Sequence, residues 1–451
     1  MKRQYYLYMM QVSLLLFSCL FFSCAKSLNP RSNKVKYSQE MVERRALKSF
    51  FSNRSEQQLA KAHWDYVPGL VAFSVLKAWE QYPQKEEYYK VVKAYADHCL
   101  QGKDTIAVGA SNIDDLAAGK IFFTLYEREM KKGNKADAER YKNCVTFLRN
   151  KLKYQHSRIG SGKPGTGGFF HKAQYPNQMW LDGLYMGPAM YAGWQGTFGT
   201  QESREENYKS WSDIAMQFKI LNERTYDKSK QLNYHAWSAD PRDENSFWAR
   251  KEGEYKGCSP EFWGRGMGWF FAALVDVLEL MPKDHPDYQA LVQITNQVAK
   301  GLARHQDKRS GNWYQLLQYD EHKRADDKGD LINGEVVNKC DNSNYLESSA
   351  SSMFTYAYLK GIRLGALDRT EFMPVAEKAY NGLLTNFIRE GVNGELDIIQ
   401  SCASAGLGPA KDKSRTGTIN YYLCGKDVTV TQNEGKAIGP FILASLEYER
   451  R

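Results

Sequence analysis

The sequence predicts an all-α protein folded as an (α/α)6 barrel, a toroid of six helical hairpins. Three observations predict it. Apolar residues recur at three- and four-residue spacing along most of the chain. The segments with this spacing alternate in character, one apolar on every side and the next apolar on one side only. Sustained period-two alternation is absent, apart from short stretches near 394–400 and 418–431.

In chain order, VPGLVAFSVLKAWEQY (67–82) is apolar throughout, and YYKVVKAYADHCL (88–100) carries its polar residues on one side. IDDLAAGKIFFTLYEREM (113–130) and ADAERYKNCVTFLRNKL (136–152) repeat that pair, as do MWLDGLYMGPAMYAGW (179–194) and NYKSWSDIAMQFKILNERTY (207–226). EFWGRGMGWFFAALVDVLELM (261–281) precedes YQALVQITNQVAKGLARHQ (288–306). YLESSASSMFTYAYLKGIRLG (345–365) precedes EFMPVAEKAYNGLLTNFI (371–388), and GKAIGPFILASLEYER (435–450) ends the series. Inner apolar helices alternating with half-exposed outer ones describe a ring, in which about twelve helices give hairpins of roughly 70 residues. No crisp short repeat marks a solenoid. The site of such a ring lies where inner-helix ends and their loops converge.

The 451 residues, 42% of them hydrophobic, can fill one large barrel. The net charge of +9 is spread among acidic residues without a basic block, which excludes a nucleic-acid grip and reads as surface solubility. The N-terminal MKRQYYLYMMQVSLLLFSCLFFSCAKS has two early cations and an apolar run too short to span a bilayer. It predicts a signal peptide over 1–24, with Cys24 a candidate lipid-attachment site despite Phe21 three residues before it, and Cys19 a second. Export follows, to the periplasm or to a lipid anchor on the bacterial envelope, that anchor being the one route to a membrane. A polar linker (25–36) then leads into one domain, 37–451, expected to be monomeric. Six further cysteines lie far apart with no metal-binding spacing. Buried free thiols are expected, with Cys402 and Cys424 the pair to test for a disulfide. GSGKPGTGG (160–168) lacks phosphate-loop spacing and reads as a flexible loop.

Aromatic residues, 13% of the chain, gather beside Gly, His and carboxylates, as in Phe169-Phe170-His171, Tyr234-His235-Ala236-Trp237 and Trp263. Apolar ring faces beside polar groups suit a sugar. Asp182 stands between Trp180-Leu181 and Gly183-Leu184-Tyr185, where a carboxylate loses hydration. It is either a buried helix cap or an acid with a raised pKa. Asp114, in NIDDLAAGK, reads alone as part of a helix cap in which it or Asp115 accepts backbone N–H bonds. Arg265 lies between Gly264 and Gly266, which would admit a ligand carboxylate to its guanidinium or leave it in a structural ion pair. His171 and His235 sit among aromatics in loop-like sequence.

Taken together, WDYVPGL, NIDDLAAGK, GGFFHKAQYPNQMWLDGLYMG, NYHAW, PEFWGRGMGWF, GNWYQLL, NYLESSASSMFTYAYLKGIRLG and NEGKAIGPFILA resemble glycoside hydrolase family 105, the unsaturated rhamnogalacturonyl hydrolases. The resemblance runs from about residue 60 to 446 and independently implies the six-hairpin toroid. It implies Asp182 as general acid and base in hydrating the C4=C5 bond of an unsaturated uronic acid at the non-reducing end of lyase-generated pectin or rhamnogalacturonan oligosaccharides. Packing of Asp182 between Trp180 and Tyr185, near a second carboxylate, is expected to raise its pKa. Asp114 is that second carboxylate and binds sugar hydroxyls or water. His171, Trp180, His235, Arg265 and Trp269 are implied to line the pocket, with Arg265 holding the uronate and Tyr66 against the sugar. No metal or organic cofactor is implied. The loop 238–259 is longer than the family leads one to expect, on the leaving-group side. The alternatives are an unsaturated glucuronyl hydrolase, a conventional inverting glycosidase using Asp114 and Asp182, and an inactive carbohydrate-binding protein on the same toroid.

Overall fold

The computed structural model describes residues 35–49, 63–160, 163 and 165–451. The expected signal peptide, Cys19, Cys24 and all but the last two linker residues lie outside them. Six long inner segments form a closed ring: Tyr66–Gln81, 114–132, 181–198, Gly264–Leu280, Ser348–Arg363 and Gly435–Glu449. Each packs on the next, and the last returns to the first. The helix Gly264–Leu280 shows why such segments read as apolar on every side. All its residues from Gly264 to Leu278 are buried, between the ring's lumen and an outer layer. The outer helices, among them Glu86–Leu100, Arg204–Thr225, Tyr288–Arg304 and Arg369–Asn386, bury one face and leave the other in water.

The twelfth helix comes from 37–49, whose pattern is too short and too charged to stand out in the sequence. It closes the ring against the last helix. Ser38 donates to Glu449 from its backbone N–H at 3.0 Å and its hydroxyl at 2.6 Å, and Tyr82 donates to the same carboxylate at 2.6 Å. The expected alternating segment near 418–431 divides differently. Thr418 accepts the Tyr421 N–H and caps a short helix, Ile419–Cys424, while Val430–Thr431 pairs with Ser401–Cys402. The hydroxyl cap decides the first half for helix.

Cysteine pairing also departs from expectation. Cys424 is disulfide-bonded to Cys340, with Cα atoms 5.8 Å apart, and Cys402 remains a buried thiol beside the Ser404 carbonyl. The loop bearing Cys340 lies over the short helix, where Asn342 donates to the Leu423 carbonyl at 2.9 Å. Cys99, Cys144 and Cys258 form no disulfide among the described residues.

Candidate active site

The inner helices begin at one end of the ring, and the first residues of five of the six face a common cavity there. Tyr66, Asp114, Asp182, Arg265 and Lys436 each stand within the first two positions of an inner segment and line that cavity. Helix N-termini present unpaired N–H groups and the positive end of the helix dipole, so this mouth favours an anion. Of the residues singled out in the sequence, Tyr66, Asp114, His171, Trp180, Asp182, Arg265 and Trp269 line this one cavity.

A strand pair assembles the reactive centre. Gln178–Trp180 runs antiparallel to Ala236–Ser238, with Trp180 opposite Ala236, and the Leu181 N–H donates to the His235 carbonyl at 3.0 Å. The residues just beyond the paired ends, Asp182 and His235, are thereby brought together, and His235 Nε2 lies 3.0 Å from Asp182 Oδ2. Gly266 permits that approach. A Cβ there would stand 3.2 Å from His235 Cδ2 and 3.7 Å from Asp182 Oδ2.

His235 is wholly buried and stands behind Asp182 instead of lining the cavity, which corrects its expected place in the sugar-binding wall. Both its ring nitrogens are engaged. Nδ1 meets the Tyr422 hydroxyl at 2.6 Å. The two contacts together fix the orientation of the ring beside the carboxylate. Tyr422 itself is buried and its ring is stacked with Trp263, which lines the cavity. A Tyr422–His235–Asp182 line therefore runs from the disulfide-tied helix to the pocket.

The pKa of Asp182 goes the other way from the expectation. Burial pushes it up, but the charge and hydrogen bond of His235 outweigh burial and hold the carboxyl below its usual range. Trp180 and Tyr185 do not sandwich it as the sequence suggested. Trp180 stacks on His171 at 4.3 Å, and Tyr185 packs on Trp269 at 4.7 Å. The raised carboxyl is Asp114. Burial lifts it, Lys172 opposes from 2.5 Å, and Asp182 adds to the rise. Neither Asp114 nor Asp115 caps that turn; Asp115 instead ties the preceding loop, accepting from the Gly109 N–H and Asn112, each at 2.7 Å. Burial, followed by Lys172, drives the His171 pKa well below its ordinary value, so its ring is neutral.

Arg265 is buried and only partly committed to protein. Its Nη1 donates to the Cys402 carbonyl and lies 3.4 Å from Ser349 Oγ, while its Nε has no partner among the described residues. Arg265 nonetheless lines the cavity. Three more cations line it: Lys172; Arg415, paired with Asp427; and Lys436, paired with Glu434 at 2.8 Å. Lys172 adjoins His171 and Lys436 lies in the NEGKAIGP stretch, so both could be found from those motifs. Arg415 sits in a featureless loop, and Tyr422 reads as core.

The model of Glycosyl Hydrolase Family 88 matches residues 37–327 and 334–451. The chain belongs to that family. A solved glycoside hydrolase of family 105 from Clostridium acetobutylicum (C. acetobutylicum ATCC 824) is 34% identical, with a TM-score of 0.74 over 92% of this chain and 100% of that one. That likeness extends the assignment to family 105 and to its α/α toroid. An unsaturated rhamnogalacturonyl hydrolase of Bacillus subtilis (strain 168) is 23% identical over 254 residues, 56% of this chain and 64% of that protein. An unsaturated 3S-rhamnoglycuronyl hydrolase of Formosa agariphila is 24% identical over 251 residues, 55% and 57% of the two chains. The family makes this protein a glycosidase of the unsaturated uronyl hydrolase kind, acting on unsaturated oligosaccharides.

Proposed function

We propose that the protein releases the Δ4,5-unsaturated galacturonyl unit from the non-reducing end of lyase-generated rhamnogalacturonan or pectin oligosaccharides, as an exported enzyme. The observation that carries this reading is a carboxylate with no Lys or Arg paired to it among the described residues, Asp182, in a cavity whose other carboxylate, Asp114, is paired with Lys172 and whose walls carry further cations and aromatic rings. A uronate fits the cations Arg265, Lys172 and Lys436, and ring faces of Trp180 and Trp269 suit its C–H patches. Asp182 protonates C4 of the enol ether, then takes a proton from the water that adds at C5. The hemiketal so formed opens and frees the next sugar.

The lowered pKa of Asp182 suits the second half of this cycle, in which it acts as base. The first half requires a proton on it. An arriving uronate supplies the reason, because a like charge in a desolvated pocket raises the proton affinity of the carboxylate beside it. His235 keeps the carboxylate aimed, and Asp114 with Lys172 addresses hydroxyls. The test is incubation with unsaturated di- and oligosaccharides from rhamnogalacturonan and glycosaminoglycan lyases, following the ultraviolet absorbance of the conjugated uronate. Bleaching of the rhamnogalacturonan products is expected. Sugar release without bleaching would indicate displacement at the anomeric carbon, and bleaching confined to glucuronyl products would reassign the substrate.

A further inference from the structure

The acid–base pocket does not end at Arg415 and Tyr175. Its two side walls, the loop through Lys172 and Tyr175 and the loop through Gly406, run on into a second, more open trough of about 420 Å³. There the first loop contributes Ala173, Gln174 and Pro176, and the second Pro409, Ala410 and Lys411. A third wall, Glu244-Asn245, comes from within the long 238–259 loop. We propose that this trough binds the part of an acidic oligosaccharide that continues beyond the leaving sugar, with Gln174, Glu244 and Lys411 reading it and Lys411 paired with a uronate. The proposal rests on the uronyl hydrolase reading and adds a preference for chain length to it.

Continuity carries the first part of the argument. A sugar chain whose terminal residue sits against Asp182 leaves the pocket between the same two loops that flank the trough. The walls are also fixed before any ligand arrives. The Ala410 N–H donates to Asn245 Oδ1 at 3.1 Å, Gln178 Nε2 donates to the Asn245 carbonyl at 3.0 Å, and the Asp412 N–H closes a turn on the Pro409 carbonyl at 2.8 Å. Behind them Trp248, from the long loop, packs in one cluster with Trp180, Tyr175 and Leu407. The wall of the trough and the wall of the acid–base pocket are thus one body, and preformed walls lower the ordering cost of binding.

Unused polar groups carry the second part. Nearby charges are matched within the protein: Lys172 with Asp114, Arg415 with Asp427, and Lys426 with Asp412. Gln174, Glu244 and Lys411 are exposed and make no side-chain hydrogen bond or ion pair among the described residues. An amide, a carboxylate and an ammonium around a trough edged by two proline faces match hydroxyls, a uronate and C–H patches. In a backbone where uronates alternate with neutral sugars, the residue just past the leaving sugar is again a uronate, which gives Lys411 its counter-ion.

The experiment compares kcat/KM for the unsaturated disaccharide and tetrasaccharide from one rhamnogalacturonan lyase digest, read by bleaching. The native protein is expected to favour the tetrasaccharide about tenfold. Combining Gln174→Ala, Glu244→Ala and Lys411→Ala should bring the ratio to about one. Disaccharide kinetics should stay constant, since the three lie outside the acid–base pocket. Lys411→Ala alone should lower the tetrasaccharide value about two- to fivefold and flatten its dependence on salt, as suits one exposed ion pair. Equal rates on both substrates in the native protein, or a ratio untouched by the triple substitution, overturn the trough while leaving the uronyl hydrolase reading intact. No bleaching of either substrate overturns that reading, and the trough with it.

Discussion

The two mouths of the toroid are both lined by charged side chains, and they treat them in opposite ways. Where the inner helices finish, a cavity of about 290 Å³ is walled by groups that satisfy one another. Lys360 lies 2.8 Å from Asp276 and 2.7 Å from Glu279, Arg363 bonds Glu447 and Glu279, and Tyr356 donates to Asp276 at 2.6 Å. Burial would raise the Glu279 carboxyl, yet Lys360 and Arg363 hold it at about 2. Where the helices start, Arg265 keeps an unpartnered Nε, and Asp182 holds one hydrogen bond and an open side. A closed network stabilises a ring, whereas a site needs charges with capacity left for a ligand.

The largest expected effect tests the working end. Asp182→Asn should lower kcat at least about 1000-fold while the melting temperature and substrate binding hold, as seen by bleaching assay and calorimetry. A rate near native would remove Asp182 as acid and base. At the opposite end the effect should fall on stability alone. Asp276→Ala leaves the Lys360 ammonium in a buried place with one partner fewer, which should cost about 3–5 kcal/mol in denaturant unfolding with kcat of the folded protein unchanged. A loss of activity without a loss of stability would mean the two mouths are not so divided.

Two smaller effects sharpen the contrast. Tyr422→Phe removes the hydroxyl that fixes His235, so kcat should drop about 10–100-fold and the pH–rate profile should shift, with KM nearly constant. An unmoved profile would reduce Tyr422 to packing. The exception at the far mouth is Lys120, whose Nζ lies over the Tyr185 ring and has no hydrogen-bond partner among the described residues. Burial lowers its pKa to about 7. The unfolded chain keeps that proton to about pH 10, so from neutrality upward unfolding takes up a proton and stability rises with pH. Lys120→Met should add about 1–2 kcal/mol at pH 7 and abolish that rise, measured by denaturant unfolding at neutral and alkaline pH.

What was legible in the sequence follows from how far each feature reaches along the chain. The inner helices declared themselves because residues such as Met267 to Val275 are apolar at consecutive positions, a local signal of burial on all sides. Asp182 and Arg265 stood out as charged residues in apolar or glycine-rich surroundings, whereas Asp114 was assigned to the site only through the resemblance to the family. Tyr422 was not, since a tyrosine in INYYLC is ordinary core and its partner His235 is 187 residues away. The direction of the Asp182 pKa was missed for the same reason. Apolar neighbours in sequence argued for a rise, whereas the deciding imidazole arrives through a strand pair that only the folded chain makes.

The Cys340–Cys424 bond closes a loop of 84 residues, and its second sulfur lies two positions past Tyr422. It thereby ties the far end of the short helix Ile419–Cys424 to the loop lying over it. Under thiol reductant the barrel would persist on its helical core. The short helix presenting the Tyr422 hydroxyl would then rest on its hydrogen bonds, among them Thr418 to Asp330 and Asn342 to the Leu423 carbonyl.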